Sequence, residues 1–380
     1  MDNFSEVAGL RVGLFTECYH PIRNGVVAAV DALAGTLRAR GHEVVYVTPK
    51  MPGFVNESRD VVAVPSMPLP ANTAYRLTVP MPSRRRREAL KRLSIVHAHS
   101  PFVTGWMGVS CARRYGVPLV FTYHTLLEEY VHYVPIEANA ARRATGELTR
   151  IYANSADAVI VPTRTMAEHL RELGVTRAID VIPSGIDLVQ FGTAARSEAL
   201  RAKLGAQPHE TLVLSVGRLA REKAMHLVLE AFARLPAAGM RLAIAGDGPE
   251  RERLEDEAER LGIAARTVFA GELARDELPA VYAAADAFAF ASRSETQGLV
   301  LVEAMAAGLP VAAVESAPTR EVLGGAGTLA GPDPAQLAAA ILTALAAKDP
   351  GRSRAVAAGF DRDRLGSRVI EVYERVLAHR

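Results

Sequence analysis

Short runs of β-branched and other apolar residues alternate with longer stretches of helical periodicity through most of this chain. That is the pattern of βαβ units, and hence of parallel sheets covered by helices. In the first half the predicted strands fall at residues 11–16, 43–48, 95–99, 119–124, 158–161 and 180–182. Apolar residues recur at helical spacing between them, as at Val26, Val30, Leu33 and Leu37. After Pro183-Ser-Gly-Ile-Asp187 the pattern weakens to about Glu210, which predicts a linker. A second series then opens with Thr211-Leu-Val-Leu-Ser-Val216 and continues with strands at 241–245, 267–270, 287–291 and 311–314. The expected class is α/β, with two doubly wound domains over residues 1–190 and 191–360. A tail helix over 361–380 carries Leu365, Val369, Tyr373 and Val376 on one face and should pack on a domain.

Composition narrows the class of partner. The 380 residues are too many for one ordinary core and suit two. Forty-four basic side chains nearly balance 42 acidic ones, so net charge names no partner. Cys18 and Cys111 stand far apart in sequence and outside any zinc-like spacing, which predicts neither a disulfide framework nor a metal ribbon. Met1-Asp-Asn-Phe-Ser-Glu6 lacks the basic start and apolar core of a signal peptide, so a cytoplasmic protein is expected. The longest apolar run, 298–314, is interrupted by Glu303 and punctuated by Gly308-Leu-Pro310, and no membrane span is predicted.

The candidate chemistry begins at the first strand of the second domain. Gly217-Arg218 follows that strand, and Lys223 lies five residues after Arg218. An arginine fork and a mobile lysine charge suit a diphosphate, although the same residues also fit a solvated turn. Ser294-Glu295-Thr-Gln297-Gly298 follows the strand at 287–291 and leads into a helix starting near Leu299. Its first amides lack internal acceptors and can receive a phosphate, while Gly298 lets the backbone approach a ligand. Glu295 before the helix and Glu303 one turn inside it could bind sugar hydroxyls, with a solvent-facing helix glutamate as the alternative for Glu303. Asn24-Gly25-Val26 closes the loop after the first strand of the chain, either as a simple turn or as a second helix start for the diphosphate.

Three further features have competing readings. Gly246-Asp247-Gly-Pro249 combines a capping aspartate with proline at the first helical position and reads as structural. His97 and His99 share a strand face and read as packed or hydrogen-bonded side chains. His124, Glu128 and His132 have helical spacing that could hold a metal, but such loose spacing alone does not call for one.

Together these segments resemble the retaining glycosyltransferases of GT-B fold (glycosyltransferase family 4, group 1), which include bacterial diacylglycerol glucosyltransferases and phosphatidylinositol mannosyltransferases. The segments carrying the resemblance are Phe15-Thr16-Glu17, Asn24-Gly25-Val26, His97-Ala-His99-Ser-Pro101, Thr122-Tyr-His124-Thr125, Ile182 to Asp187, Gly217-Arg218, Gly246 to Pro249, and Glu295 to Glu303. The resemblance implies two Rossmann-like domains facing across a cleft, the first binding the acceptor and the second the nucleotide sugar. It implies that Arg218 and Lys223 bind the donor diphosphate and that Glu295 contacts the transferred sugar. Gln297 and the amides near Gly298 and Leu299 would border the phosphate, Glu303 would hold the ribose, and Gly25 would cover the diphosphate. His124 would lie near the sugar and acceptor, with no general-base role following from that. It implies retention through a frontside mechanism, with neither metal nor other cofactor. Where relatives often have glycine or asparagine after the lysine, this chain has Ala224.

Pro82-Ser-Arg84-Arg85-Arg86-Arg87-Glu-Ala-Leu90-Lys91-Arg92-Leu93 concentrates positive charge in a short predicted helix. By charge alone it suits either a solvated face or anionic lipid headgroups, with Leu90 and Leu93 dipping into the bilayer. No aromatics are interleaved, which disfavours nucleic acid. The resemblance favours lipid, because lipid-modifying relatives carry a basic helix in the same region. The expected activity is therefore transfer of a hexose from a nucleotide sugar such as UDP-glucose to diacylglycerol or a glycolipid, peripherally at the cytoplasmic face of a membrane. A GDP-mannose-dependent enzyme acting on phosphatidylinositol, a glycan or a small soluble acceptor is the alternative. From other classes stand a non-catalytic nucleotide-sugar binder and a glycoside hydrolase with Glu295 and Glu303 as its carboxylates, whose chemistry needs neither Arg218 nor Lys223.

Overall fold

The computed structural model describes residues 9–54, 60–69, 72–81, 83–128 and 137–379. The chain divides into two units, one of Met1–Gly185 with Arg362–Arg380 and the other of Ile186–Asp361.

The first unit runs β1 (Arg11–Phe15), α1 (Gly25–Ala39), β2 (Glu43–Pro49), β3 (Val61–Val64), β4 (Ser66–Leu69), β5 (Asn72–Thr78), α2 (Arg84–Lys91), β6 (Ile95–Ala98), α3 (Val103–Tyr115), β7 (Leu119–Thr122), α4 (Ala138–Ser155), β8 (Ala158–Val161), α5 (Arg164–Glu172) and β9 (Ile179–Val181). Seven of these strands form a sheet of order β3-β2-β1-β6-β7-β8-β9, with every pairing parallel. Strands β6, β7 and β8 are buried at every position, which explains their continuous apolar runs in place of strict alternation. Strands β4 and β5 form a separate antiparallel hairpin. Proline within β4 and a mixed polar sequence hide both strands from a reading of periodicity.

The second unit runs α6 (Leu188–Gly192), α7 (Glu198–Lys203), β10 (Thr211–Val216), α8 (Met225–Phe232), β11 (Met240–Ala245), α9 (Arg251–Arg260), β12 (Thr267–Gly271), α10 (Leu278–Ala284), β13 (Ala287–Phe290), α11 (Leu299–Ala306), β14 (Val311–Val314), α12 (Ala317–Leu323), β15 (Gly327–Ala330), α13 (Pro334–Ala346) and α14 (Pro350–Ala357). Its six-stranded sheet has the order β12-β11-β10-β13-β14-β15, again all parallel.

The stretch expected as a linker is instead part of this unit. Phe191 of α6 is buried against Tyr282. Arg201 of α7 has no exposed surface and donates to the Ala284 carbonyl at 2.6 Å, to Asp286 at 2.9 Å and to the Glu210 carbonyl at 2.5 Å. A buried arginine held by three hydrogen bonds is invisible to hydrophobic patterning, which explains the difference.

The chain then returns to the first unit as α15 (Arg362–Ala378), which packs along α1. Thr36 of α1 donates to Asp363 at 3.0 Å, and Tyr373 lies buried with its hydroxyl 2.6 Å from His97 Nδ1.

Candidate active site

Counted within each sheet, the first six strands of both units follow the order 3-2-1-4-5-6. In such sheets the loops diverge at the carboxyl ends of strands 1 and 4 and leave a crevice there for a ligand. In the second unit those strands are β10 and β13.

The loops leaving β10 and β13 carry the residues picked out in the sequence. Beyond β10, Gly217 and Arg218 lead into a 3-10 turn over Arg221–Lys223. Lys223 Nζ lies 2.6 Å from Glu295 Oε1 in the loop after β13, with each side chain less than a fifth exposed. Arg218 donates to the buried Glu222 carboxylate at 2.9 Å. The Glu222 carbonyl in turn accepts from Ser292 and Ser294, each at 3.3 Å, which ties the two loops together. Gln297 is buried, and Gly298 caps α11 at φ +83°, a conformation that suits glycine and aims the first helical amides out of the turn. Ala224, immediately after Lys223, also adopts the left-handed conformation, at φ 50° and ψ 38°.

Glu303 is only 1% exposed, so it is not a solvated helix glutamate. The Tyr282 hydroxyl donates to its Oε2 at 2.8 Å, and Arg275 pairs with its Oε1. Burial, then the adjacent carboxylate, push the Tyr282 phenol well above its ordinary range. Arg275 also lies over the Phe191 ring. Neither Arg275 nor Tyr282 was apparent in the sequence, because each lies outside the matching segments and meets Glu303 only through the packing of α10 on α11.

The expected cap at Asp247 is not found. Helix α9 begins two residues after Pro249 with Glu250 at its cap, and Asp247 instead bonds the Gly248 amide at 2.7 Å and Arg251 at 3.2 Å. The segment serves a different purpose: Leu219 and Asp247 share a backbone hydrogen bond of 2.9 Å, and a Cβ on Gly246 would lie 1.9 Å from the Gly217 carbonyl. Only glycine permits that approach, which fixes the loop carrying Arg218.

In the first unit the equivalent crevice lies beyond β1 and β6, and Glu17 fills its anion position. The carboxylate accepts from the Thr104 amide in the first turn of α3 at 2.9 Å and from the Thr78 hydroxyl at 3.2 Å. Burial raises its pKa despite these bonds. Gly25 begins α1, whose cap is Asn24 through a 2.9 Å bond to the Val27 amide.

His124 lies two residues beyond the end of β7, not within the strand, and its Nε2 is 2.9 Å from His99 Nδ1. His99 packs on His97 with ring centroids 4.2 Å apart and the planes tilted by 33°. His97 is held on one side by Tyr373 and on the other by Thr122 at 2.7 Å. Desolvation lowers all three imidazoles, His97 to about 3 and His124 to about 4, so each is neutral near pH 7. The spacing suggestive of metal dissolves in three dimensions. Residues 123–126 are not helical, Glu128 faces His169 and Tyr123, and His132 lies outside the described residues.

The basic segment does form helix α2, capped by Ser83. Arg84, Arg85, Arg87, Lys91 and Arg92 are exposed, whereas Arg86 is half-buried and bonds the Met81 carbonyl at 2.7 Å. Leu93 and Leu90 do not reach outward as expected: Leu93 is 4% exposed and Leu90 packs on the same core. Met81, whose carbonyl accepts from Arg86, is exposed, as are Met67 and Leu77, paired across the β4–β5 hairpin. No helix among the described residues is long and apolar enough to cross a membrane.

Two parallel-sheet units of this order define a Rossmann-like architecture. Comparison with known proteins makes the assignment. Residues 23–190 match Glycosyltransferase Family 4 and residues 196–361 match Glycosyl transferases group 1. An alpha-monoglucosyldiacylglycerol synthase of Streptococcus pneumoniae is 34% identical over 312 residues, covering 80% of this chain and 71% of its own. A GDP-mannose-dependent alpha-mannosyltransferase of Mycobacterium tuberculosis is 32% identical over 328 residues, covering 83% and 82%. The solved structure of Anabaena HepE in complex with UDP and glucose superposes with a TM-score of 0.79 at 20% identity, over 96% of this chain and 100% of that one, a likeness of fold. The chain belongs to this glycosyltransferase family and is a glycosyltransferase of the GT-B type.

Proposed function

We propose that the protein transfers a hexose, with UDP-glucose as the first donor to test, to a lipid acceptor such as diacylglycerol or a glycolipid. The observation that carries this reading is the Lys223–Glu295 pair beside the start of α11, where β10 and β13 end. A diphosphate there would meet Arg218, Lys223 and the amides near Gln297, Gly298 and Leu299, which offset its charge without a divalent metal. Glu295 would then hold the transferred sugar, and Glu303, held in place by Arg275 and Tyr282, has lone pairs left for the ribose hydroxyls. In the first unit, Gly25 is assigned to the diphosphate and His124 to the sugar and acceptor. The filled anion position at Glu17 supports giving the diphosphate to the second unit.

The proposed reaction retains the anomeric configuration. The bond from the sugar's anomeric carbon to the diphosphate breaks, the acceptor oxygen bonds that carbon on the same face, and the acceptor's proton passes to the departing phosphate oxygen. The name of the Streptococcus relative supports a glucosyl donor and a lipid acceptor. That of the Mycobacterium relative supports the donor of the second reading, GDP-mannose, with phosphatidylinositol, a glycan or a small soluble molecule as acceptor. The exposed cations of α2, with the exposed Met81 just before it, support peripheral docking on an anionic bilayer.

Mass spectrometry of products from a panel of nucleotide sugars and a lipid extract, with EDTA present, tests these points together. UDP-glucose consumption with an α-linked glycolipid product is expected. Mannose transfer would select the second reading, and donor binding without any product would leave only a binding protein.

A further inference from the structure

The three histidines at the strand ends of the first unit form a connected set whose arrangement reaches beyond packing. Tyr373 and Thr122 bond both nitrogens of His97, so that ring cannot turn. His99 packs against it at a tilt and is 4% exposed, with Nδ1 facing His124 Nε2 at 2.9 Å. The other His99 nitrogen, Nε2, is buried without a hydrogen-bond partner and borders a cavity of about 40 Å³ lined in part by Ser184, Arg362 and Val369.

A neutral imidazole carries one N–H and one lone pair, so the position of the proton is set by its surroundings. Two arrangements are open to His99. If His124 donates, His99 keeps an N–H at Nε2 with no protein acceptor in reach. If His99 donates from Nδ1, only a lone pair is left there, and unmet acceptors are better tolerated in protein interiors than unmet N–H groups. The second arrangement places the His124 proton on Nδ1.

We propose that His99 is a positioning residue for His124: by donating from Nδ1 to His124 Nε2, it fixes His124 as a hydrogen-bond donor through Nδ1–H rather than a proton acceptor. The set is closed from behind by the C-terminal helix, because Tyr373 holds His97 and His97 holds the plane of His99. A helix distant in sequence thereby sets the chemistry of a loop residue. The consequence rests on the proposed place of His124 beside the transferred sugar. There a donor can bond a sugar oxygen, and the acceptor's proton must leave by another route, as to the departing phosphate.

Nitrogen NMR of the histidine-labelled full chain at pH 7 tests the tautomer without reference to activity. His124 is expected to show a protonated Nδ1 and a bare Nε2, and the reverse assignment overturns the proposal. In transfer assays, His99→Leu should lower kcat by roughly tenfold or more with little change in donor KM, the scale typical of a lost orienting partner. His99→Asn, whose amide can donate from the Nδ1 position, should recover most of that loss, and Tyr373→Phe should cost a smaller factor. Equal kcat in His99→Leu and the parent overturns the positioning role, as does a loss that His99→Asn fails to relieve. If His124→Ala retains full transfer, the place given to His124 beside the sugar falls, while the NMR result still decides whether His99 sets its tautomer.

Discussion

Lys223 Nζ and Glu295 Oε1 meet at 2.6 Å although 72 residues separate them in sequence. The pair makes each residue's role measurable through the other. A phosphate at Lys223 must share it with the Glu295 carboxylate, so removing that carboxylate should not weaken a nucleotide that lacks sugar. Glu295→Gln should bind UDP as well as the parent or better, yet lose transfer by about 100-fold through the missing sugar contact. Lys223→Ala should lose UDP affinity by about tenfold, the scale of one charge-assisted bond. Titration calorimetry with UDP and initial rates with UDP-glucose separate the two. Weaker UDP binding in Glu295→Gln would contradict the assignment.

Glu303 joins two effects that sequence alone kept apart. Its replacement by alanine removes a donor contact and also leaves the buried Tyr282 hydroxyl only a long 3.4 Å bond to the Val300 carbonyl, with Arg275 losing its partner. Unfolding in urea should show a loss of roughly 1–3 kcal/mol for Glu303→Ala, the cost of an unmet buried polar group. Glu303→Gln, which keeps an oxygen for Tyr282, should lose less stability while still weakening donor binding. An alanine variant as stable as the parent would mean that Arg275 and Tyr282 do not depend on this carboxylate.

Much of the fold was legible because burial on both faces leaves continuous apolar strands, as at β8 and β10, and because helix periodicity filled the intervals. The elements that escaped are those stabilised by polar groups. Helix α7 is anchored through the buried Arg201, and β4 carries Pro68, so neither presents an apolar stripe. The same divide runs through the candidate site. Arg218, Lys223, Glu295 and Gly298 could be named because each sits beside a strand end, whereas Arg275 and Tyr282 reach Glu303 only through tertiary packing. Asp247 was misread because its capping pattern competes with a bond to the adjacent amide, which took precedence.

Ala224 is the one non-glycine residue with positive φ among the described residues. A Cβ in that conformation costs about 1–2 kcal/mol, partly offset by the greater freedom glycine has in the unfolded chain. Ala224→Gly should therefore stabilise the second unit by about 0.5–1 kcal/mol and raise its melting temperature by about 2 °C. Calorimetry checks this. A lower melting temperature would show that the turn presenting Lys223 is not strained at Ala224.

The histidine set predicts how the first unit responds to acid. In the unfolded chain each imidazole titrates near 6.5, whereas burial depresses the folded values, to about 3 for His97 and about 4 for His124. Above pH 6.5 both states are neutral at these positions and no penalty arises. Below it the unfolded chain binds protons that the folded unit refuses, so stability falls as pH drops from 6.5 toward 4. With three such groups the slope reaches about 4 kcal/mol per pH unit at most. Trp106, the single tryptophan of the chain, packs edge-on against Tyr152 in this unit and reports the transition by fluorescence. His124→Asn should shift acid unfolding to lower pH, and an unchanged midpoint would remove His124 from the account.

The basic helix offers a test in which charge and core packing give opposite outcomes. Arg84, Arg85 and Arg87 are exposed and each should contribute about 1 kcal/mol on an anionic surface, so changing all three to serine should weaken vesicle binding by about 100-fold. Binding of the parent should also fall at high salt, which screens such contacts beyond a few ångströms. Leu93 is packed against the core beneath the helix, so Leu93→Ala should instead destabilise the fold by about 2–5 kcal/mol. At a temperature where it remains folded, its vesicle binding should match that of the parent. Co-sedimentation with phosphatidylglycerol-containing and purely zwitterionic vesicles separates the outcomes. If the serine variant binds anionic vesicles as tightly as the parent, α2 is a solvated face, and any membrane contact must come from elsewhere on the surface.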